Sequence, residues 1–198
     1  MEEANPFLLS RDFVKETRFR FPIESMEDIL RRAARMFFAQ KGTKVDVVAG
    51  FPWFGRWGRD TFISLPGLCM AIGDWRMFRM AIDSELEDFQ NGFFPNIGSG
   101  SQSAYNSVDA PLWFFWCIQQ YAYANNAREQ VWTLYKDVMK QILDTFSEGT
   151  NNVRMDSNFL LWQSQEGAAL TWMDAIIDGE PVTRRNGYAV ELNALWFN

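Results

Sequence analysis

From residue 25 onward, the apolar positions of this chain mark out helical segments of two alternating kinds. Ser25 and Asp28 read as a capping box, and Met26, Ile29, Leu30, Ala33 and Phe37 recur on one face with Arg31, Arg32 and Arg35 off it. After Lys41-Gly42 the chain reads as irregular through Trp57. Residues 61–72 are then apolar on nearly every face, and Pro66 is expected to kink that helix or mark its first turn. Gly73-Asp74 closes it and caps a one-faced helix, with Trp75, Phe78, Ile82, Leu86 and Phe89 as the stripe and Asp83, Glu85, Glu87 and Asp88 as the wet side. Ser107 or Asp109 caps residues 110–124, which have no polar face, and residues 128–146 are one-faced again. Residues 190–197 read as the opening turns of another buried helix, and the chain stops at Asn198 without a Gly or Pro stop signal.

One-faced and all-apolar segments in strict alternation predict a curved double layer in which outer helices cover inner ones. A small β-hairpin is predicted where Val153-Arg154-Met155-Asp156 and Phe159-Leu160-Leu161-Trp162 flank Ser157-Asn158. The connections from outer to inner helix are long, at residues 41–59, 91–106 and 147–189, and helix geometry brings all three to one rim. A structural α-solenoid is the alternative, but it normally has short loops at both ends and a sequence period, and none is found here.

Each rim loop mixes aromatics with amides or carboxylates: Trp53, Phe54, Trp57, Arg59 and Asp60 in the first; Phe93, Phe94, Asn96, Tyr105, Asn106 and Asp109 in the second; Gln165, Glu166, Thr171, Trp172, Asp174, Thr183, Arg184 and Glu191 in the third. That is the composition of a sugar site. An aromatic covers the apolar face of a pyranose, while guanidinium and carboxylate groups bracket its hydroxyls. Residues 52–61, Pro-Trp-Phe-Gly-Arg-Trp-Gly-Arg-Asp-Thr, are the densest case, and a core turn with one buried Arg–Asp pair is the competing reading.

Composition removes several alternatives. The 198 residues are 47% hydrophobic and 16% aromatic, which is a globular chain with a substantial core. With 19 basic and 25 acidic residues the net charge is -6 and no basic run occurs, so a nucleic-acid partner is not expected. The longest apolar run is too short for a membrane span and the start lacks the order of a signal peptide, so a cytoplasmic location is the default expectation. Histidine is absent, which removes Ser-His-Asp and Cys-His catalysis, and with two cysteines a zinc site is not expected; nor is a calcium loop or any other cofactor. Cys69 and Cys117 both sit in apolar runs and read as buried thiols. Carboxylates are left as the acid–base groups of any enzyme here.

Four motifs in order, Pro52–Pro66 as PWFGRWGRDTFISLP, Tyr105–Trp113 as YNSVDAPLW, Leu170–Ala175 as LTWMDA and Pro181–Trp196 as PVTRRNGYAVELNALW, resemble the amylo-α-1,6-glucosidase domain of glycogen debranching enzymes. The resemblance covers about residues 24–198. It implies an all-α fold, an (α/α)6 toroid of the glucoamylase type, of which this chain would supply about half together with the small hairpin. Residues 1–24 would be an N-terminal tail or linker and residues 25–198 the partial glucosidase domain. The implied activity is hydrolysis of α-1,6-glucosidic branch stubs of glycogen or limit dextrin by an inverting, two-carboxylate route.

By that resemblance Asp174 is the catalytic acid, with Trp172 and Met173 lowering the polarity around it. Trp53, Trp57, Arg59, Asp60, Asn106, Asp109, Trp172, Arg185 and Glu191 would hold the glucan, with Arg59 and Asp60 bracketing the outer hydroxyls of the terminal glucose. Two departures stand out: Thr183-Arg184-Arg185 replaces the family's usual Pro-Val-Thr-Pro-Arg ending, and no residue matches the general base, which lies later in that family. The expectation is therefore a fragment that binds α-glucan (glycogen, limit dextrin or maltooligosaccharide) but is inert alone, with self-association through the open toroid edge. The alternative is a non-catalytic glucan-binding or scaffold module.

Overall fold

A computed structural model describes residues 25–198 apart from positions 52, 71 and 99; the expected N-terminal tail lies outside the described residues. The chain falls into two compact units, residues 1–36 and 37–198. Among described residues the first contributes helix α1 (Met26–Met36). Its predicted capping box is formed: Asp28 N donates to Ser25 Oγ at 3.2 Å, and Ser25 N returns a bond to Asp28 Oδ2 at 3.1 Å.

The second unit opens with a three-stranded antiparallel sheet, β1 (Phe38–Lys41), β2 (Lys44–Gly50) and β3 (Phe54–Arg56). This corrects the irregular reading of residues 41–57. The period-2 signal is present: Val45 and Val47 are buried while Lys44 and Asp46 face outward, and Gly42, at φ 65°, turns the chain between Lys41 and Lys44.

Helices α2 (Gly58–Met70), α3 (Trp75–Leu86), α4 (Ala110–Asn125), α5 (Arg128–Glu148) and α6 (Val190–Phe197) follow. Within this unit α2, α4 and α6 pack in a row, α3 lies against α2, α5 lies against α4, and β2 packs on α2 and α3. From α2 to α6, then, α2, α4 and α6 form a row, with α3 and α5 each packed on one of its members. Their shared core is aromatic: Phe62 of α2, Phe114 of α4 and Phe94 from the 87–109 loop meet with ring centroids 4.8–5.6 Å apart, and Phe78 of α3 stacks on Tyr121 of α4 at 4.9 Å.

Four details depart from the sequence reading. Helix α2 begins three residues earlier than residue 61, so Arg59 and Asp60 lie in its first turn, and Pro66 is inside the helix rather than at its start. Two hairpins form instead of one: β4 (Val153–Met155) with β5 (Leu161–Gln163) as expected, and β6 (Ile176–Ile177) with β7 (Glu180–Pro181) inside the supposed long loop. The second turns at Asp178-Gly179, both with positive φ (51° and 80°), the primed-turn signature of that dipeptide. Helix α6 is not buried all round: Val190 and Phe197 are 82% and 92% exposed.

The fourth departure is Glu85, assigned to the wet side of α3 but 1% exposed. Its i−3 neighbour is the core residue Ile82, and Arg56 of β3 lies across from it at 3.6 Å. Burial pushes the Glu85 carboxyl up to about 7 from its ordinary 4.5, with Arg56 pulling the other way. A carboxyl whose folded pKa is raised favours the folded state only while protonated, so that stability is lost as pH rises between about 4.5 and about 7. Glu85→Gln removes this dependence. Urea unfolding at pH 5 and pH 8 is expected to show the wild-type chain losing about 2–3 kcal/mol relative to Glu85→Gln over that interval.

Candidate active site

The junction of β3 and α2 is set by glycine. At Gly58 an added Cβ would collide with the Pro95 carbonyl oxygen, and the Gly58 N–H donates to Asn96 O at 3.1 Å. The 93–97 segment can therefore lie directly on the first turn of α2. Trp57 bridges Ile97 on the strand side, and Arg59 and Asp60 project from the helix side.

Arg59 is the hub of the site. Its guanidinium is 7% exposed, and it donates from Nε to Asp109 Oδ2 at 2.7 Å, from Nη1 to Asp174 Oδ2 at 2.9 Å and from Nη2 to Ser107 Oγ at 3.3 Å. Burial by itself lowers the Arg59 pKa, but Asp109 and Asp174 together raise it, so the group stays charged. Helix α4 is capped by Ser107, whose Oγ accepts from Ala110 N at 3.2 Å and donates to Asp109 Oδ1 at 2.5 Å. Of the two predicted caps, Ser107 takes the role, and the Asp109 side chain is thereby free for Arg59.

Asp174 receives a second donor, Asn96 Nδ2, at 3.3 Å, and its side chain keeps 21% exposure. It faces a cavity of about 350 Å3 lined by Ala49, Phe54, Trp57, Arg59, Asp60 and Trp172. A smaller cavity of about 230 Å3 adjoins it, sharing Ala49, Arg59 and Asp60. These volumes, with aromatic walls and convergent polar groups, suit a small polar ligand. Burial raises the Asp60 carboxyl above its ordinary value, against the pull of Arg59. An apolar groove of about 340 Å3 between α4, α5 and α6 is similar in size, but its lining, with Leu112, Phe115, Val131 and Trp196, carries no titratable side chain.

The other predicted residues divide. Trp57 and Trp172 line the cavity, and Trp172 is 54% exposed, so the shielding expected of it around Asp174 is partial. Trp53 is 83% exposed and lies outside the cavity lining. Asn106 keeps its side-chain oxygen buried and without a hydrogen-bond partner among the described residues. Arg185 and Glu191 pair with each other: Nη2 donates to Oε2 at 2.9 Å, Nη1 to Oε1, and Nη1 also to Thr171 Oγ1 at 3.1 Å. Those bonds hold the Glu191 carboxyl below its ordinary range, with Trp172 adding to the effect. This second ion pair braces the segment that carries Trp172 and Asp174.

Residues 11–198 match the family described as amylo-alpha-1,6-glucosidase. The chain belongs to that family. It also matches the glycogen debranching enzyme of Saccharomyces cerevisiae at 28% identity over 129 residues, an alignment covering 59% of this chain and 8% of the yeast protein. The four motifs quoted above thus lie inside the family match, and three of them meet at Arg59: its own, that of Asp109 and that of Asp174. In this family member, Asn96 was legible only as one of the rim residues and Ser107 only as a helix cap. Their bonds to Asp174 and Arg59 carry no local signal, because those partners stand 78 and 48 residues away. Among the described residues no group of three or more acidic or cysteine side chains could hold a metal ion, and no helix is long and apolar enough to cross a membrane.

The close approach at Gly58 gives a direct check. Gly58→Ala is expected to destabilise the fold by about 1–3 kcal/mol through overpacking against Pro95. Thermal unfolding measures the loss.

Proposed function

We propose that this chain carries the donor-glucose side of an α-1,6-glucosidase site acting on branch stubs of glycogen or limit dextrin. The observation behind the reading is the Arg59 guanidinium, which holds Asp174 at the mouth of an aromatic-walled cavity while Asp109 anchors it from below. The row of α2, α4 and α6 covered by α3 and α5 fits two inner–outer repeats and part of a third in an (α/α) toroid.

In this reading Phe54, Trp57 and Trp172 cover the apolar faces of the terminal glucose, and Asp60 and Arg59 take its hydroxyls. Asp174 delivers a proton to the glycosidic oxygen as the C1–O6 bond breaks, while water attacks C1 from the opposite face and passes its proton to a second carboxylate. Asp109, 1% exposed beneath Arg59, serves as the counter-charge that orients the guanidinium rather than as a proton carrier. Arg185 and Glu191 act as a brace for the Trp172 wall.

One observation favours the alternative. Asp174 accepts from both Arg59 and Asn96, which suits a carboxylate that binds sugar hydroxyls in a non-catalytic α-glucan module. Asp174→Asn separates the two readings. For a glucosidase, glucose release from limit dextrin falls by about 10²–10⁴-fold while maltooligosaccharide binding persists. If the wild-type chain binds α-glucan in calorimetry without turnover, and Asp174→Asn weakens that binding, the catalytic role is wrong and the binding module stands.

A further inference from the structure

Outside the lining of the cavity at Asp174, a second buried arginine is flanked by three carboxylates. Arg56 of β3 is 5% exposed at its side chain. Asp88 Oδ2 accepts from its Nη2 at 2.5 Å, Glu85 Oε1 stands 3.6 Å from its Nε, and Asp46 Oδ1 stands 3.6 Å from its Nη1. The same guanidinium also donates to Ser84 O at 3.2 Å and, from Nε and Nη2, to Gly98 O at 3.3 and 3.1 Å.

Two of these partners, Asp88 and Gly98, lie in the loop after α3, while Ser84 and Glu85 belong to α3 itself and Asp46 to β2. Gly98 N donates back to Arg56 O at 3.3 Å, Gly100 N donates to Asp88 Oδ1 at 3.0 Å, and the Tyr105 hydroxyl donates to Asp88 O at 2.6 Å. The loop so pinned closes on itself through Asn96 N to Ala104 O at 2.7 Å and Ala104 N to Ile97 O at 3.0 Å. Asn96 is 1% exposed, and its side-chain oxygen has no partner among the described residues, so its amide is placed by the loop backbone and by its one bond to Asp174.

We propose that Arg56 is a positioning residue for Asp174: paired with Glu85 and Asp88, it fixes the loop after α3, and that loop presents the Asn96 amide to the Asp174 carboxylate. The inference rests on Asp174 as the group that meets the sugar, and on nothing about turnover. Its chain of contacts runs from Glu85 through Arg56, Gly98 and Asn96 to Asp174. Each link is buried or half-buried, where hydrogen bonds and charges act at low effective dielectric.

Glu85 supplies the handle for a test. Both of its oxygens lack hydrogen-bond partners among the described residues, and the neighbouring Thr61 hydroxyl is given to Trp57 O at 2.9 Å. The charged or titratable groups facing it are Arg56 from β3, Asp46 from β2, Asp88 beyond α3 and Cys117 from α4. When Glu85 loses its proton, near pH 7 as burial dictates, the pull on Arg56 is redistributed between Glu85 and the Asp88–Gly98 side. The chain contains no histidine, so no ordinary side chain titrates in the same range.

The experiment follows the Asn96 side-chain amide by 15N NMR across roughly pH 5 to 9, its resonance assigned by its loss in Asn96→Asp. In the wild-type chain the resonance is expected to shift with an inflection near neutrality. In Glu85→Gln that inflection disappears, and in Arg56→Lys the resonance moves while far-UV circular dichroism stays native. Where turnover is measurable, Arg56→Lys lowers kcat by about tenfold with KM little changed, because substrate contacts stay intact. An Asn96 resonance with the same pH profile in Glu85→Gln as in wild type, or one unmoved in a folded Arg56→Lys, overturns the proposal. The amide readout uses no sugar, so it stands or falls separately from the glucosidase reading.

Discussion

A single guanidinium holds the site together. Arg59 reaches Asp109, fifty positions later, and Asp174, more than a hundred later, across two segments that are also tied by the Val108 N–H donating to Leu170 O at 2.9 Å. A charge removed from water costs several kcal/mol unless it is paired and hydrogen-bonded, and Arg59 meets that requirement with two carboxylates and a hydroxyl. The planar fork of arginine makes the arrangement possible: Nε and Nη2 reach Asp109 and Ser107 ahead of α4 while Nη1 reaches Asp174, whereas a lysine offers one point charge. The mouth of the cavity is thus defined by one side chain rather than by the loops separately.

Arg56, three residues earlier, has the same chemistry with a different purpose. It stands at the end of β3 and faces the back of the unit, where Asp46, Glu85 and Asp88 surround it, while Arg59 stands in the first turn of α2 and faces the cavity. The change from extended to helical backbone at Trp57-Gly58 sends the two arginines in different directions. Gly58 makes the change possible, since only there can the 93–97 segment come close enough to accept its N–H and to carry Asn96 toward Asp174. Aromatic packing of Phe62, Phe94 and Phe114 fixes the same loop from below.

This division of labour accounts for the two readings of the 52–61 stretch. It is a buried Arg–Asp structure and a cavity wall at once. The buried partner of Arg59 is not its neighbour Asp60, which instead lines both adjoining cavities, and Trp53 of the same stretch is exposed to solvent. The family match extends over residues 11–198 and so includes every segment that Arg59 joins.

Helical periodicity in the sequence determined the order of the helices, the Ser25–Asp28 capping box and the first hairpin, because each depends on residues within a few positions of one another. Local signals also existed for the two features misjudged: Val45 and Val47 alternate with Lys44 and Asp46, and Asp178-Gly179 is a hairpin turn; reading both stretches as loop overlooked a period of two. The aromatic and acidic residues of the rim were legible as a class, since their types already match a sugar. Their individual partners were not. That Glu85 is buried against Arg56, that Asn96 touches Asp174, and that Arg185 is spent on Glu191 are all decided by side chains meeting across 6 to 78 positions of chain. Only the packed tertiary structure sets those distances, and at buried ion pairs the distances decide which carboxylate is a brace and which is left to face the sugar.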